Sequence, residues 1–326
     1  GIHTMTYSRI AGTGSYLPEK VLTNHDLEEM MDTSDDWIQA RTGIKRRHIA
    51  ADDEATSDLA LAAANQALDM AGIGAEDINL IIIATTTPDK VFPGVACIVQ
   101  RRLGIRGCGA FDIQAACSGF VYGLDLADRY IRTGAAKNVL VIGAETLSRL
   151  TNWEDRTTAV LFGDGAGAVV LQETDKPGIL STHIHADGQY EDLLQVPQGV
   201  SSGYDVTRAG EAFIQMNGNA VFRRAVATLD SIARETLEKN NIDKHDLDWF
   251  VPHQANMRII SAAAKKLDMP MERVIVTVDE HANTSAASIP LALDVAVRDG
   301  RIKRGELLLF EAFGAGFTWG STLLRF

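Results

Sequence analysis

The chain has 326 residues, 46% of them apolar and 23% charged, with a formal net charge of −12; that suffices for one large core or two medium ones and excludes generic nucleic-acid binding, which needs a basic surface. No apolar run reaches the roughly 18 residues that span a bilayer and no basic, apolar and small-residue leader precedes the first strand, so a cytoplasmic protein with neither membrane nor nucleic acid as partner is expected. Three cysteines without C-x-x-C spacing argue against a disulfide framework or a zinc knuckle, so reduced thiols and no bound metal are expected.

Gly1 to Thr4 read as a cloning remnant ahead of Met5. Residues 67 to 82, "ALDMAGIGAEDINLII", read as a helix end followed by a strand, and "INLIIIATT" has the continuous aliphatic character of a strand buried on both faces. Phe111 and Ile113 close another buried strand. After them Phe120, Leu124, Ala127 and Ile131 recur at helical spacing until Gly134 supplies a stop. Cys117 therefore stands where a strand turns into a helix. "KNVLVIGAE" (137 to 145) and "FGDGAGAVVL" (162 to 171) follow as strands, the glycines of the second read as tight hairpin turns and close packing. That glycine cluster leads into a strand rather than a helix, so the anion-binding logic of a dinucleotide loop fails.

The second part of the chain repeats the first. "TLEKNNIDKHDLDWFV" (236 to 251) matches residues 67 to 82 at an offset of 169, and Leu293-Asp294-Val295-Ala296 matches Leu124-Asp125-Leu126-Ala127 at the same offset. "GELLLFEAF" (305 to 313) and "FGAGFTWGSTLL" (313 to 324) then match the two strands named last. Four matches in order predict a duplication: an N-terminal half, 5–173, and a C-terminal half, 174–326, forming one compact unit of α/β class with mainly parallel sheets. The site is expected on the pseudo-symmetry axis. In ungapped local register Cys117 corresponds to Asn283, and His253, after the strand "LDWFV", corresponds to Ala84.

A thiol at a helix start lies near free N–H groups and the positive dipole end, which favours thiolate. The competing reading, a small buried hydrophobe, is assigned to Cys97 and Cys108; for Cys117 the two readings balance. Among eight histidines, His183 and His185 share a strand face but lack a third metal ligand; His25, His48 and His245 occupy polar, loop-like contexts; His281 stays open; His253 is preferred because it ends a buried strand. "AACSG" comes close to a nucleophile elbow, which makes a thiol hydrolase the rival reading. That fold lacks this duplication.

"AACSGF" around Cys117, "PHQAN" around His253, "HANTSAAS" around Asn283 and the closing "EAFGAGFTWGSTLLRF" resemble the β-ketoacyl-acyl carrier protein synthase III family, as do "TSDDWIQARTGIKRR" and "DRTTAVLFGDGAGA"; the likeness runs from residue 6 to 326. It implies the five-layer αβαβα thiolase fold and a cytoplasmic homodimeric acyltransferase that needs no cofactor, since coenzyme A enters as a thioester substrate. Cys117 would take an acyl group, usually acetyl, from acyl-coenzyme A and condense it with malonyl-acyl carrier protein, starting fatty-acid synthesis. A related condensing enzyme of secondary metabolism is the alternative. The resemblance further implies His253 and Asn283 as donors to the malonyl thioester oxygen, an oxyanion hole from the N–H groups of Cys117 and Ala315, Phe313 against the reacting centre, and Phe92 reaching the partner's acyl pocket. Coenzyme A contacts fall on Trp37, Arg156, Thr33, Arg41, Gly218 and Asn256. Gln114 and Asn217 depart from the small residues expected there and put the choice of starter, not the reaction, in question. Arg258, Lys265 and Lys266, with Arg223 and Arg224, form a basic stripe that would dock an acidic carrier protein; the plain alternative is a solvated face.

Overall fold

The computed structural model describes residues 5–203 and 212–326; Gly1 to Thr4, read above as a cloning remnant, lie outside the described residues. The aliphatic runs assemble into two sheets. In the first, β1 (Tyr7–Tyr16), β2 (Leu80–Ala84), β3 (Gly109–Ile113), β4 (Asn138–Thr146) and β5 (Asp164–Thr174) take the order β1-β5-β4-β2-β3. The second holds β6 (Ile179–Ala186), β7 (Trp249–Pro252), β8 (Leu307–Gly314) and β9 (Thr318–Arg325) in the order β7-β8-β9-β6.

Strands joined through helices pair in parallel, as the alternation predicts: β2 with β3 and β4, and β7 with β8. The flanking pairs β1–β5, β4–β5, β8–β9 and β9–β6 are antiparallel. The physical reason is plain at β8–β9, where three residues join the strands and no crossover can fit.

Side-chain alternation stacks the layers. On β2, Ile81 and Ile83 face a core shared with α1 (Thr56–Ala71) and α2 (Val95–Arg102), whereas Leu80 and Ile82 face one shared with α3 (Gly119–Arg132) and α6 (Ser288–Arg298). On β8, Leu308, Phe310 and Ala312 enter that central core from the opposite side. Leu307, Leu309 and Phe313 point outward to α4 (Gly218–Asn240) and α5 (Met257–Lys266). Helices, sheet, helices, sheet, helices is the five-layer αβαβα order. The central helix α3 buries Phe120, Leu124, Ala127 and Ile131, the positions its period predicts.

The duplication is visible in the register. Leu80 pairs with Val139 and Trp249 with Leu308, so both strands of each parallel pair are related by the same 169 residues. Just before the central helices the two halves form equivalent 3₁₀ turns, Ala116–Ser118 and Ser285–Ala287, whose first residues are non-glycines in the left-handed region, φ 49° at Ala116 and 54° at Ser285. This corrects the pairing of Cys117 with Asn283. In three dimensions Cys117 corresponds to Ala286 and Asn283 to Gln114, because the turn, not the ungapped alignment, is the repeated unit; His253 does correspond to Ala84. Strand β4 passes the second of these turns so closely that a Cβ on Gly143 would lie 2.0 Å from the Ala286 carbonyl oxygen. Only glycine fits.

Three further expectations need correction. Gly165 and Gly167 lie inside β5 against Leu291 and Pro290 of α6, so they allow helix–strand contact rather than a turn. Cys97 is exposed and Cys108 half-buried, since α2 turns Val95, Ala96 and Val99 inward and Cys97 away. His48 sits in a strand (Arg46–Ile49), edge-on to the buried His281 at 6.2 Å, and not in a loop.

Candidate active site

Cys117, His253 and Asn283 come together, each from the end of a different buried segment. Cys117 is buried and flanked by a tight frame: the Ser118 N–H donates to the Ala115 carbonyl at 3.0 Å, and Thr318 Oγ1 donates to the same oxygen at 3.1 Å. Gly314, at the end of β8, passes so near that a Cβ there would lie 2.7 Å from the Cys117 nitrogen. The β8–β9 hairpin thus delivers the backbone around Ala315 to the Cys117 N–H.

Asn283 is held by its backbone, its N–H donating to Leu161 O at 2.8 Å and its carbonyl accepting from Gly163 N at 3.0 Å. Its side-chain Oδ1 accepts from Ser285 N at 2.8 Å and lies 4.0 Å from Cys117 Sγ. With the acceptor oxygen committed, the group the amide has left to offer is its Nδ2 donor. His253, 2% exposed, pairs Nδ1 with Ser288 Oγ at 2.6 Å, while Nε2 is buried and has no hydrogen-bond partner among the described residues. Burial holds the imidazole pKa down to about 3, so it is neutral at physiological pH. The Phe313 ring stands edge-on to it at 5.4 Å.

The expected thiolate is overturned. Burial pushes the Cys117 thiol up to about 12; a hydrogen bond from Ser285 opposes that shift, and the charge of Glu145 adds to it. Helix-end attraction does not offset the loss of water around the sulfur.

Two cavities meet at Cys117. The first, of about 470 Å³, is lined by Trp37, Arg41, Gly218 and Asn256 with Cys117, His253, Asn283 and Phe313 at its base. Trp37 and Arg41 lie on a helix (Asp35–Thr42) that Ser34 caps, its hydroxyl accepting from Trp37 N at 3.1 Å. The guanidinium groups of Arg41 and Arg156 stand 4.6 and 4.7 Å from the Trp37 ring centroid, so the indole is a platform for two cations. Thr33 places a buried, unpartnered hydroxyl nearby in sequence. Asn256 and Asn217 cap α5 and α4, and Asn217 also lines this channel.

The second cavity, about 330 Å³, runs from Cys117 past Thr86, Gln114, Leu147, Phe162, Ser285 and Ala315. Phe92 is 83% exposed and lines neither cavity of its own chain. Of the basic stripe, Arg258 lines the channel with its guanidinium over Phe222 at 5.2 Å; Arg223, Lys265 and Lys266 are exposed, and Arg224 stacks on Tyr190 at 4.3 Å. His183 and His185 do find a carboxylate, Glu235, at 3.8 and 2.7 Å. Among the described residues no group of three or more His, Cys, Asp or Glu side chains is placed to hold a metal ion, and no helix is long and apolar enough to cross a membrane.

Sequence reasoning missed Ser288, which orients His253, and Ser285, which orients Asn283. It also missed Glu145, a carboxylate buried at the end of β4. The signal for Glu145 was present: an acidic residue terminating an otherwise aliphatic run.

Profiles of the 3-oxoacyl-[acyl-carrier-protein] synthase III family match residues 111–188, and those of its C-terminal part match residues 237–326. A beta-ketoacyl-[acyl-carrier-protein] synthase III of Thioalkalivibrio sulfidiphilus is 66% identical over 322 residues, covering 99% of this chain and 100% of that one. The crystal structure of 3-oxoacyl-[acyl-carrier-protein] synthase III from Aquifex aeolicus VF5 is 50% identical with a TM-score of 0.92, covering 98% of this chain and 100% of that one. A priming beta-ketosynthase from the R1128 polyketide pathway is 35% identical with a TM-score of 0.94, covering 100% and 98%. With this likeness over nearly the whole length and three site residues converging on one axis, the chain belongs to the β-ketoacyl-acyl carrier protein synthase III family.

Proposed function

We propose that this chain is a cytoplasmic condensing enzyme that primes fatty-acid synthesis, joining an acyl group from acyl-coenzyme A to malonyl-acyl carrier protein. The observation that carries the reading is the meeting of Cys117, His253 and Asn283 at the base of one channel, where, among the described residues, His253 Nε2 has no hydrogen-bond partner and Asn283 Oδ1 is already engaged by Ser285 N.

In the first half-reaction the Cys117 sulfur attacks the thioester, and the N–H groups of Cys117 and Ala315 receive the oxyanion; Gly314 lets these two backbones approach. Trp37, Arg41 and Arg156 form the platform for the coenzyme A adenine, with Thr33, Gly218 and Asn256 along the pantetheine path. In the second, malonyl-carrier protein enters the same channel. Neutral His253 donates from Nε2, its tautomer set by a Ser288 hydroxyl that donates to Nδ1, and Asn283 donates from Nδ2; both stabilise the enolate formed as carbon dioxide leaves. Each such donor is worth about 3 kcal/mol of transition-state stabilisation. Asparagine and a histidine held uncharged by burial suit the task, since neither changes protonation during the reaction. No cofactor enters the scheme.

Phe92, exposed on its own chain, fits a homodimer in which it walls the partner's acyl cavity. Arg258 and its basic neighbours fit the docking of an acidic carrier protein.

Incubation with acetyl-coenzyme A should add the mass of one acetyl group at Cys117, and malonyl-carrier protein should then discharge it as a ketoester. Release of free acid instead would identify a thiol hydrolase, and the absence of an adduct would reject both.

A further inference from the structure

Glu145 is fully buried, yet the mechanism above does not use it. The chain surrounds its carboxylate with donors from the end of β2: Thr85 Oγ1 and Thr86 Oγ1 at 2.9 Å, Thr87 Oγ1 at 3.3 Å and the Thr86 N–H. Thr86 and Ser285 line the cavity that Cys117 opens into. The Ser285 backbone is fixed by its left-handed turn and by its N–H bond to Asn283 Oδ1. Its side chain shares that cavity wall with Cys117 and with Thr86, which holds Glu145, and it lowers the proton affinity of both the thiol and the carboxylate. A hydroxyl can accept from an S–H while donating to a carboxylate.

The other half shows what fastening alone requires. There the equivalent of Thr85 is Gln254, whose neutral amide ties the end of β7 to Pro252 O and Ile275 O and accepts from Thr277 N and Val278 N, while the position equivalent to Glu145 is Gly314. A strand end can thus be secured without burying a charge. Burying one is costly even when it is well bonded. The carboxylate in the first half therefore calls for a role, and Thr86, which holds it, lines the same cavity as Ser285 and the nucleophile.

We infer that Glu145, acting through the Ser285 hydroxyl, stores the proton that Cys117 gives up when it is acylated. The inference rests on the acyl-transfer reading above. As the sulfur–carbonyl bond forms, the thiol proton passes to Ser285 Oγ while the Ser285 proton passes to Glu145. The bond to coenzyme A breaks and that thiolate, whose thiol titrates at about 8.5 or above, takes its proton from water near neutral pH. During condensation the new carbon–carbon bond forms and the bond to Cys117 breaks; the released thiolate recovers the proton from Glu145 along the same path. Burial raises the proton affinity of Glu145 above that of an ordinary carboxylate, whereas His253 is a poor acceptor.

One consequence is measurable. Acylation should draw one proton from the solvent per acyl group, because the Cys117 proton stays in the protein while coenzyme A is protonated from outside. Rapid mixing of the full-length protein with acetyl-coenzyme A in weak buffer, with a pH indicator and parallel intact-mass analysis, reads both events. The expected result is proton uptake equal to adduct for the native chain. Glu145→Gln should form adduct roughly a hundredfold more slowly and without uptake. Ser285→Ala, which leaves the threonine cradle of Glu145 intact, should do the same and serves if the first variant does not fold. Adduct without uptake in the native chain overturns the proton store, as does undiminished uptake in either variant. Failure of the native chain to form any adduct would instead overturn the acyl-transfer reading beneath it.

Discussion

The two halves place the same turn on the same axis and then use it differently. In the first, the turn carries Cys117, a strand end beside it carries Ala84, and a buried carboxylate, Glu145, closes β4. In the second, the corresponding positions are Ala286, His253 and Gly314. Cys117, His253 and Glu145 each have alanine or glycine at the equivalent position of the other half; Asn283 is the exception, its counterpart being Gln114, which lines the second cavity. A duplicated fold offers two equivalent corners within contact of each other, and only one of them carries the nucleophile.

The sharpest way to break this comparison is to move the nucleophile. Cys117→Ala should abolish adduct formation, a loss of about a thousandfold or more in acyl transfer. Adding Ala286→Cys should not restore it, since the second corner lacks the Gly314 hairpin beside its nitrogen. Recovery of adduct in the double variant, read by intact mass, would show the corners to be equivalent after all.

His253→Ala and Asn283→Ala should each slow condensation by about a hundred- to a thousandfold while sparing acetylation of Cys117. Single-turnover measurement of the two half-reactions separates these. Equal losses in both would place the pair in acylation as well.

The glycines at the axis should also divide. Gly143→Ala drives a methyl into the Ala286 carbonyl and should destabilise the fold by about 3 kcal/mol or more, seen in denaturant titration. Gly314→Ala meets the Cys117 N–H, so it should cost acylation rate beyond any loss of stability.

A subtler contrast is in pH. His253 titrates at about 3 folded against 6.5 unfolded. Its stabilising effect is therefore complete above 6.5 and is lost progressively as pH falls from 6.5 toward 3, at up to about 1.4 kcal/mol per pH unit, because only the unfolded chain takes up the proton. His281, held down to about 4 by burial and by His48, adds to the same slope. His253→Gln should flatten the fall in Tm between pH 6.5 and 5 without removing it; an unchanged slope would mean that the imidazole is not kept neutral.

The smallest effect concerns the surface. Arg258→Glu should raise the apparent KM for malonyl-carrier protein several-fold and leave acetyl transfer from coenzyme A nearly intact. Equal loss in both would indicate that Arg258 serves the channel through its packing on Phe222.

Much of this was legible in the chain itself. The aliphatic runs of β2, β4 and β8, the period of α3 and the repeat at 169 residues dictate the layers, because burial on both faces leaves a strand no polar positions and a helix stripe must find a sheet. Cys117 and His253 stood out because each ends such a run. Asn283 was reachable through its motif, but its partner across the axis was assigned wrongly: alignment slides freely over a three-residue turn, whereas the left-handed residues Ala116 and Ser285 fix it in space.

What the linear order could not contain is the charge state of the site. The helix start beside Cys117 argues for a thiolate when read locally, and only the packed layers remove the water that a thiolate needs. Nor could the order bring Glu145, Ser285 and Cys117 to one point, since they meet only when the two sheets close on the central helices. Composition and period determined which segments are buried and in what layers; burial itself, a property of the whole molecule, decided which groups are charged and which proton has somewhere to go.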